Sequence, residues 1–289
     1  MITTALMRAA ARLPLAWLHR AGALLGGLVY RLSSTYATRL SDNLKASGVA
    51  RDETQYKGLR RAAIREAGKA VLELPKVWFA PIAELERLVR CDTWPVVEAA
   101  QRAGRGIIFL TPHLGCFEIS AIHVAQRLPL TVLYRQPRMA WLEPLMLAGR
   151  SRGQARLAPA DVRGVRTLFK ALKRGESIGV LPDQAPGAGE GVWADFFGRP
   201  AYTMTLASRL QQASGAAVVL TFAERLPHGA GYHLTFEALD TTQFDESALN
   251  TALEALIRRC PAQYLWSYNR YKTPAGARPQ AVDVPGAGA

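Results

Sequence analysis

The sequence predicts an α/β fold, and three observations carry that expectation. Short apolar runs recur at residues 107–110, 130–134, 177–181 and 217–223, each of a length suited to a buried strand. Segments with helical periodicity separate them, and such alternation marks α/β architecture. Pro and Gly punctuate the junctions, as in Thr111-Pro112 and Pro182-Asp183. The 289 residues suffice for one large α/β domain or two small ones, and the hydrophobic share of 49% fits a well-filled core.

Helical patterns fill most of the first hundred residues. The stretch 35–47 reads as a helix with Arg39 and Asn43 at i, i+4, and 52–79 as a long mixed one broken at Pro75. Residues 85–91 read as a short strand, after which Thr93 caps a helix running to 103. Strand–helix alternation follows: strand 107–110, helix 117–126, strand 130–134, helix 140–150, then helix 161–174 capped by Asp161. Strand 177–181 ends in Pro182-Asp183-Gln184. A Gly-rich loop at 187–191 lacks the Lys-Ser/Thr of a phosphate-binding loop. The apolar stretch 193–201 reads as groove lining. A helix at 204–213, strands at 217–223 and 232–238, and a helix at 246–259 complete the pattern. The chain divides into an apolar, basic N-terminal segment (1–33), a main domain (34–272) and a Pro/Gly/Ala-rich flexible tail (273–289).

The formal charge of +13 attracts polyanions: nucleic acid, anionic lipid or an acidic protein. No helix-turn-helix, zinc-finger or RNP signature accompanies it, so nucleic acid is not expected. Cys91, Cys116 and Cys260 are far apart and odd in number, which points away from a disulfide framework or a metal site. The N-terminal segment favours a membrane. Its uncharged stretch 21–30 is short of the roughly 20 residues a span needs, while Arg8, Arg12, Arg20 and Arg31 with Trp17 and Tyr30 suit an interfacial helix. Packing on the protein's own core and a marginal span stay open as alternatives.

The segment 106–118 carries the chemistry. An apolar strand ends in Thr-Pro, His113 follows at the strand exit, and Glu118 comes five positions later. Open α/β sheets place their sites at such exits. On one regular helix the two side chains would point about 140° apart; Pro112 and Gly115 break the geometry and let Glu118 swing back. A carboxylate on one ring nitrogen raises the basicity of the other, which makes a general base. There is no Gly-x-Ser-x-Gly elbow, and Cys116 is the alternative nucleophile within the motif. A base without a protein nucleophile calls for a substrate that supplies its own hydroxyl or amine.

Together these residues resemble the late acyltransferases of lipid A biosynthesis, the lauroyl/myristoyl transferases within the His-x4-Asp/Glu acyltransferases. The resemblance runs from about Arg39 to Lys272. It rests on Arg39 with Asn43-Leu44, His113 to Glu118, Tyr134-Arg135, Asp183-Gln184, the Phe196-Phe197-Gly198 stretch with Pro200-Ala201 and Thr203/Thr205, and Tyr264-Leu265-Trp266 with Arg270. The chain departs from the family at Cys116-Phe117, where Asn-Trp is usual. The resemblance implies a glycerolipid-acyltransferase-like mixed sheet flanked by helices, with an N-terminal membrane-associated helix at the cytoplasmic face of the bacterial inner membrane.

It further implies transfer of a fatty acyl chain from acyl carrier protein to a hydroxyl of a lipid A precursor, with no metal or cofactor. His113 and Glu118 would be catalytic. Arg135, Asp183, Gln184, Arg39, Asn43 and Arg270 would bind substrate. Backbone N–H groups near Gly115 or the Arg135 guanidinium would serve the oxyanion, with an Arg135–Asp183 ion pair as the structural alternative. Arg163, Arg166, Lys170 and Lys173 share one face of their helix and would dock the acidic carrier, or simply be solvated. Another glycolipid or phospholipid acylated from acyl-CoA, and a non-catalytic basic membrane- or nucleic-acid-binding protein, are the rival readings.

Overall fold

The structure, a computed structural model, describes residues 2–137 and 139–277. Of the flexible tail expected over 273–289, residues 278–289 lie outside the described residues. The first third is helical: α1 (Ile2–Ala11), α2 (Leu15–Leu32), α3 (Ser34–Ala46), α4 (Glu53–Leu72), α5 (Leu74–Phe79) and α6 (Ile82–Leu88). Caps set several of these starts. Ser33 and Asp52 accept from backbone N–H groups at the heads of α3 and α4, and Pro75 opens α5 where its missing N–H costs nothing. The strand expected over 85–91 is largely helix. Pro81 starts α6, which buries Leu85, and only β1 (Val89–Arg90) is extended.

Alternation then follows: α7 (Trp94–Arg102), β2 (Ile107–Leu110), α8 (Phe117–Ala125), β3 (Leu130–Tyr134), α9 (Glu143–Arg150), β4 (Ala155–Pro159), α10 (Val162–Lys173) and β5 (Ser177–Val180), of which β4 is a strand the sequence reading did not include. Next come β6 (Gly191–Phe196), β7 (Arg199–Met204), α11 (Leu206–Ser214), β8 (Ala217–Arg225), β9 (Tyr232–Ala238) and α12 (Glu246–Arg259). Seven strands form a mixed sheet in the order β1-β9-β8-β2-β5-β3-β4, parallel except where β8 meets β9. The apolar stretch 193–201 is a separate hairpin, β6–β7, instead of a groove wall. Phe197 and Gly198 at its tip both have positive φ, the conformation of a two-residue hairpin turn. Phe196 and Phe197 turn inward onto Tyr264 and Trp266.

Alternate residues of β2 serve the two faces of the sheet. Ile108 and Leu110 pack with Leu168 and Leu172 of α10 and with Leu40 and Leu44 of α3. Ile107 and Phe109 pack with Ile119 and Ile122 of α8. The N-terminal helix α2 joins this body. Leu15, Leu18 and His19 are buried, and Gly22 and Gly26 let α2 approach α4 so closely that a Cβ on Gly68 would lie 1.9 Å from the Gly22 oxygen. The opposite face of α2 exposes Trp17, Leu24, Leu28 and Leu32. So one face packs on the protein and the other is apolar and open. No helix among the described residues is long and apolar enough to cross a membrane.

Candidate active site

Strand register brings His113 and Asp183 together. Leu110 of β2 pairs with Val180 of β5, and His113 and Asp183 each lie three residues further on, so they leave neighbouring parallel strands at the same level. The His113 ring Nδ1 is 2.8 Å from Asp183 Oδ1, and the His113 backbone N–H donates to Oδ2 at 2.9 Å. Asp183 is 2% exposed. Burial pushes its carboxyl up, but the neighbouring His113 charge and these hydrogen bonds outweigh burial and hold it below the usual carboxylate range. An ionised carboxylate only accepts, so Nδ1 carries a proton, and in the neutral form of the ring Nε2 is then the nitrogen with the lone pair. The side-chain Nε2 of Gln184 lies 3.3 Å from that nitrogen.

The loop around His113 is held at every turn. Gly115 has φ 61°, and a Cβ there would lie 2.0 Å from the Ala223 oxygen, so only glycine fits. Leu265 N–H donates to the His113 carbonyl, Gly115 N–H to the Gln263 carbonyl and Cys116 N–H to the Ala223 carbonyl. The Gly115 carbonyl accepts from Arg225 Nη2 at 2.7 Å. Of the N–H groups near Gly115 expected as oxyanion donors, those of Leu114, Gly115 and Cys116 are all committed to backbone carbonyls. Arg225 in turn pairs with Glu73, which also receives hydrogen bonds from His19 and Tyr232. Burial pushes Glu73 up, yet the Arg225 charge and the hydrogen bonds from His19 and Arg225 bring it down to about 2.

Glu118 does not reach the imidazole. Its carboxylate accepts from Arg150 Nε at 3.0 and 3.1 Å, from Arg150 Nη2, and from Trp78 Nε1 at 3.1 Å. The expected His113–Glu118 contact is thus replaced by two pairs, His113–Asp183 and Glu118–Arg150. Helix α8 begins at Phe117, which fixes Glu118 in its first turn and turned toward α9. His113, Glu118, Arg135, Arg150 and Gln184 nonetheless line one cavity of about 310 Å³. Much of its wall is apolar, with Phe109, Ile122, Leu130 and Val132 among its residues.

The other expected site residues divide. Arg135 is exposed at the end of β3 and makes no ion pair with Asp183. Asn43 donates to the carbonyls of Trp266 and Tyr268, tying α3 to the C-terminal segment. Arg270 is buried and donates to the Tyr202 carbonyl and the Thr203 hydroxyl, clamping the hairpin. Arg39 is exposed on α3, and none of these last three lines the cavity. Arg163, Arg166, Lys170 and Lys173 all lie exposed on α10, with Arg163 bonded to Asp161. Cys116 is buried, and burial, reinforced by the Glu73 charge, pushes its thiol well above the ordinary value, which opposes a nucleophilic thiolate. Arg150, Trp78, Glu73 and Arg225 were absent from the sequence expectation. Arg150, Trp78 and Arg225 sit in ordinary helical or strand patterns and Glu73 joins α4 to α5, so no local signal marks them.

The chain matches the family described as bacterial lipid A biosynthesis acyltransferase over residues 1–273. It is similar to three enzymes of Escherichia coli (strain K12). It is 27% identical to the lipid A biosynthesis lauroyltransferase over 94% of this chain and 89% of that one. It is 28% identical to the palmitoleoyltransferase over 72% and 70%, and 22% identical to the myristoyltransferase over 86% and 79%. With a match that spans nearly its full length, this chain belongs to the bacterial lipid A biosynthesis acyltransferases.

Proposed function

We propose that this acyltransferase moves a fatty acyl chain from acyl carrier protein to a hydroxyl of a lipid A precursor, with His113 as general base. The observation that carries the reading is a histidine whose Nδ1 is held by a buried carboxylate and which lines the same cavity as an apolar wall. The acyl chain lies in that cavity with its thioester carbonyl near Nε2. As the acceptor oxygen attacks, its proton passes to Nε2 and the C–O bond forms. Asp183 stabilises the resulting imidazolium. Collapse breaks the C–S bond, and the thiolate leaves with the proton from Nε2. Arg135 is the cation open to the oxyanion or to a substrate phosphate. Glu118 with Arg150 shapes the site from the α8 side, and Gln184 steadies the ring.

Two surfaces support the substrates and the location. The exposed apolar face of α2, flanked by Arg12, Arg20 and Arg31, suits the cytoplasmic face of the bacterial inner membrane, where the acceptor resides. Loss of vesicle binding on deleting residues 1–33 tests this. The four cations of α10 suit an acidic carrier. Replacing Arg166 and Lys170 by Glu raises KM for the carrier several-fold, leaves kcat near its starting value, and mimics added salt. An unchanged KM rules this helix out. The decisive experiment on the function is mass spectrometry of lipid A from cells with and without the gene. One secondary acyl chain disappears on deletion and returns with the wild-type gene but not with His113→Ala; unaltered lipid A overturns the proposal.

A further inference from the structure

The cavity wall carries two polar groups that the transfer chemistry leaves unused. Ser120 lies on α8, two residues past Glu118, and Thr221 lies on β8. Both line the cavity. Each residue is 1% exposed, and neither hydroxyl has a hydrogen-bond partner within the protein. Elsewhere the fold closes such groups: Ser177, Thr203, Ser208 and Thr235 are all buried and all reach an acceptor. Buried hydroxyls without partners are rare because desolvation is then uncompensated. Here two of them share one cavity, alongside Thr111, Glu118 and an apolar wall.

Their place in the sheet is also specific. Leu220 of β8 pairs with Leu110 of β2, so Thr221 lies level with Thr111, two residues before His113. Thr221 therefore stands level with the strand end that leads to the base, and Ser120 lines the same cavity from α8; in the acyl-transfer reading the first carbons of the bound chain pass there. We infer that Ser120 and Thr221 form a polar subsite for an oxygen substituent near the carbonyl end of the acyl chain, so that the enzyme takes a hydroxyacyl donor in preference to an unsubstituted one of equal length. This rests on the acyl-transfer reading of the cavity. The chemistry is complementary: a chain hydroxyl donates once and accepts twice, enough to satisfy both protein hydroxyls together. A methylene at the same place leaves both unpaired, and sites with buried hydrogen-bonding groups reject ligands that lack the matching group.

Calorimetric binding of the whole protein to dodecanoate and to 3-hydroxydodecanoate tests the subsite without requiring turnover. The hydroxy acid binds about 3- to 10-fold more tightly, the worth of one or two net hydrogen bonds. Ser120→Ala combined with Thr221→Val brings the ratio to about one. Thr221→Val alone, nearly isosteric, lowers it and serves if the double variant is unstable. Competition between 3-hydroxyacyl and acyl carrier protein in the transfer assay shows the same preference. Equal or weaker binding of the hydroxy acid by the wild type, as expected if water alone serves both hydroxyls, overturns the inference, and so does a ratio the variants leave unchanged. Selective binding without transfer of either chain instead refutes the acyl-transfer reading and leaves the subsite standing.

Discussion

Two buried charge clusters flank the loop that carries His113, and they are built in opposite ways. In the first, Asp183 spends both oxygens on His113, and the ring's second nitrogen is left beside Gln184 in a cavity. In the second, Glu73 and Arg225 are each buried and answer one another, with His19, Tyr232 and the Gly115 carbonyl filling the remaining positions. The second cluster has no opening and no unspent group facing a cavity. Buried ion pairs hold only when geometry and additional hydrogen bonds repay desolvation; here Glu73 is fully engaged, while Glu66 Oε2 stands 3.7 Å from Arg225 Nη1 without a hydrogen bond. The cluster closed off from the cavity holds the loop in place; the cluster whose ring nitrogen lines the cavity is the one proposed to react. The difference also explains why His113 needs no neighbour in sequence to orient it, since the loop is pinned from below by one cluster and oriented from the side by the other.

The largest effect that tests this contrast is on turnover. His113→Ala lowers kcat by roughly 100- to 10,000-fold, the range for loss of a general base, and lowers the unfolding midpoint as well, because Asp183 stays buried without its side-chain partner. Asp183→Asn lowers kcat as well, since an amide can present its N–H to Nδ1 and so move the proton to the wrong nitrogen. Normal turnover by a folded variant at either position would place the reaction elsewhere.

The second effect is on stability. Arg225→Met leaves Glu73 buried without its main partner and the Gly115 carbonyl without its donor. Breaking such a pair costs about 3–5 kcal/mol, read as a lower denaturant midpoint. Adding Glu73→Leu returns part of that loss, because a buried apolar pair is tolerated better than half an ion pair. If the single variant unfolds at the wild-type midpoint, the closed cluster is not what fixes the loop.

The comparison also marks what was legible in the sequence. Strand exits were readable: runs such as Ile107–Leu110 end at proline, and both His113 and Asp183 follow such ends. Their pairing was not. A His-x4-Glu spacing invites a local partner, whereas the actual partner arrives across parallel strands by register, 70 positions away. Arg150 and Arg225 come from elements whose local pattern does not distinguish them from surface cations; only folding buries Arg225 and turns Arg150 onto Glu118. Local signals did fix several elements. Asp161 caps α10 through the N–H groups of Arg163 and Gly164, and α12 has the expected bounds. The hairpin β6–β7 was missed because its Phe-Gly turn lacks the Asn-Gly or Asp-Gly form that announces such turns.

The smallest effect, spread over pH, separates the clusters once more. His123, buried on α8 and edge-on to Trp94, is brought down to about 4, first by burial and then by the Arg127 charge. Its folded value lies below the ordinary 6.5, so as pH falls the unfolded chain takes up the proton first and stability declines between about 6.5 and 4. Glu73 acts lower: its folded value near 2 lies under the ordinary 4.5, so its contribution is complete above 4.5 and is lost as pH falls toward 2. The melting temperature therefore falls in two stages on acidification, at about 2–4 °C per kcal/mol for a chain near this size. His123→Gln flattens the upper stage and leaves the lower one, while Arg225→Met removes most of the lower stage because Glu73 loses its principal cause of depression. Asp183, also held below its ordinary value, stays ionised throughout the upper window. A wild-type melting temperature that is flat from pH 6.5 to 4 would show that His123 charges as readily in the fold as out of it.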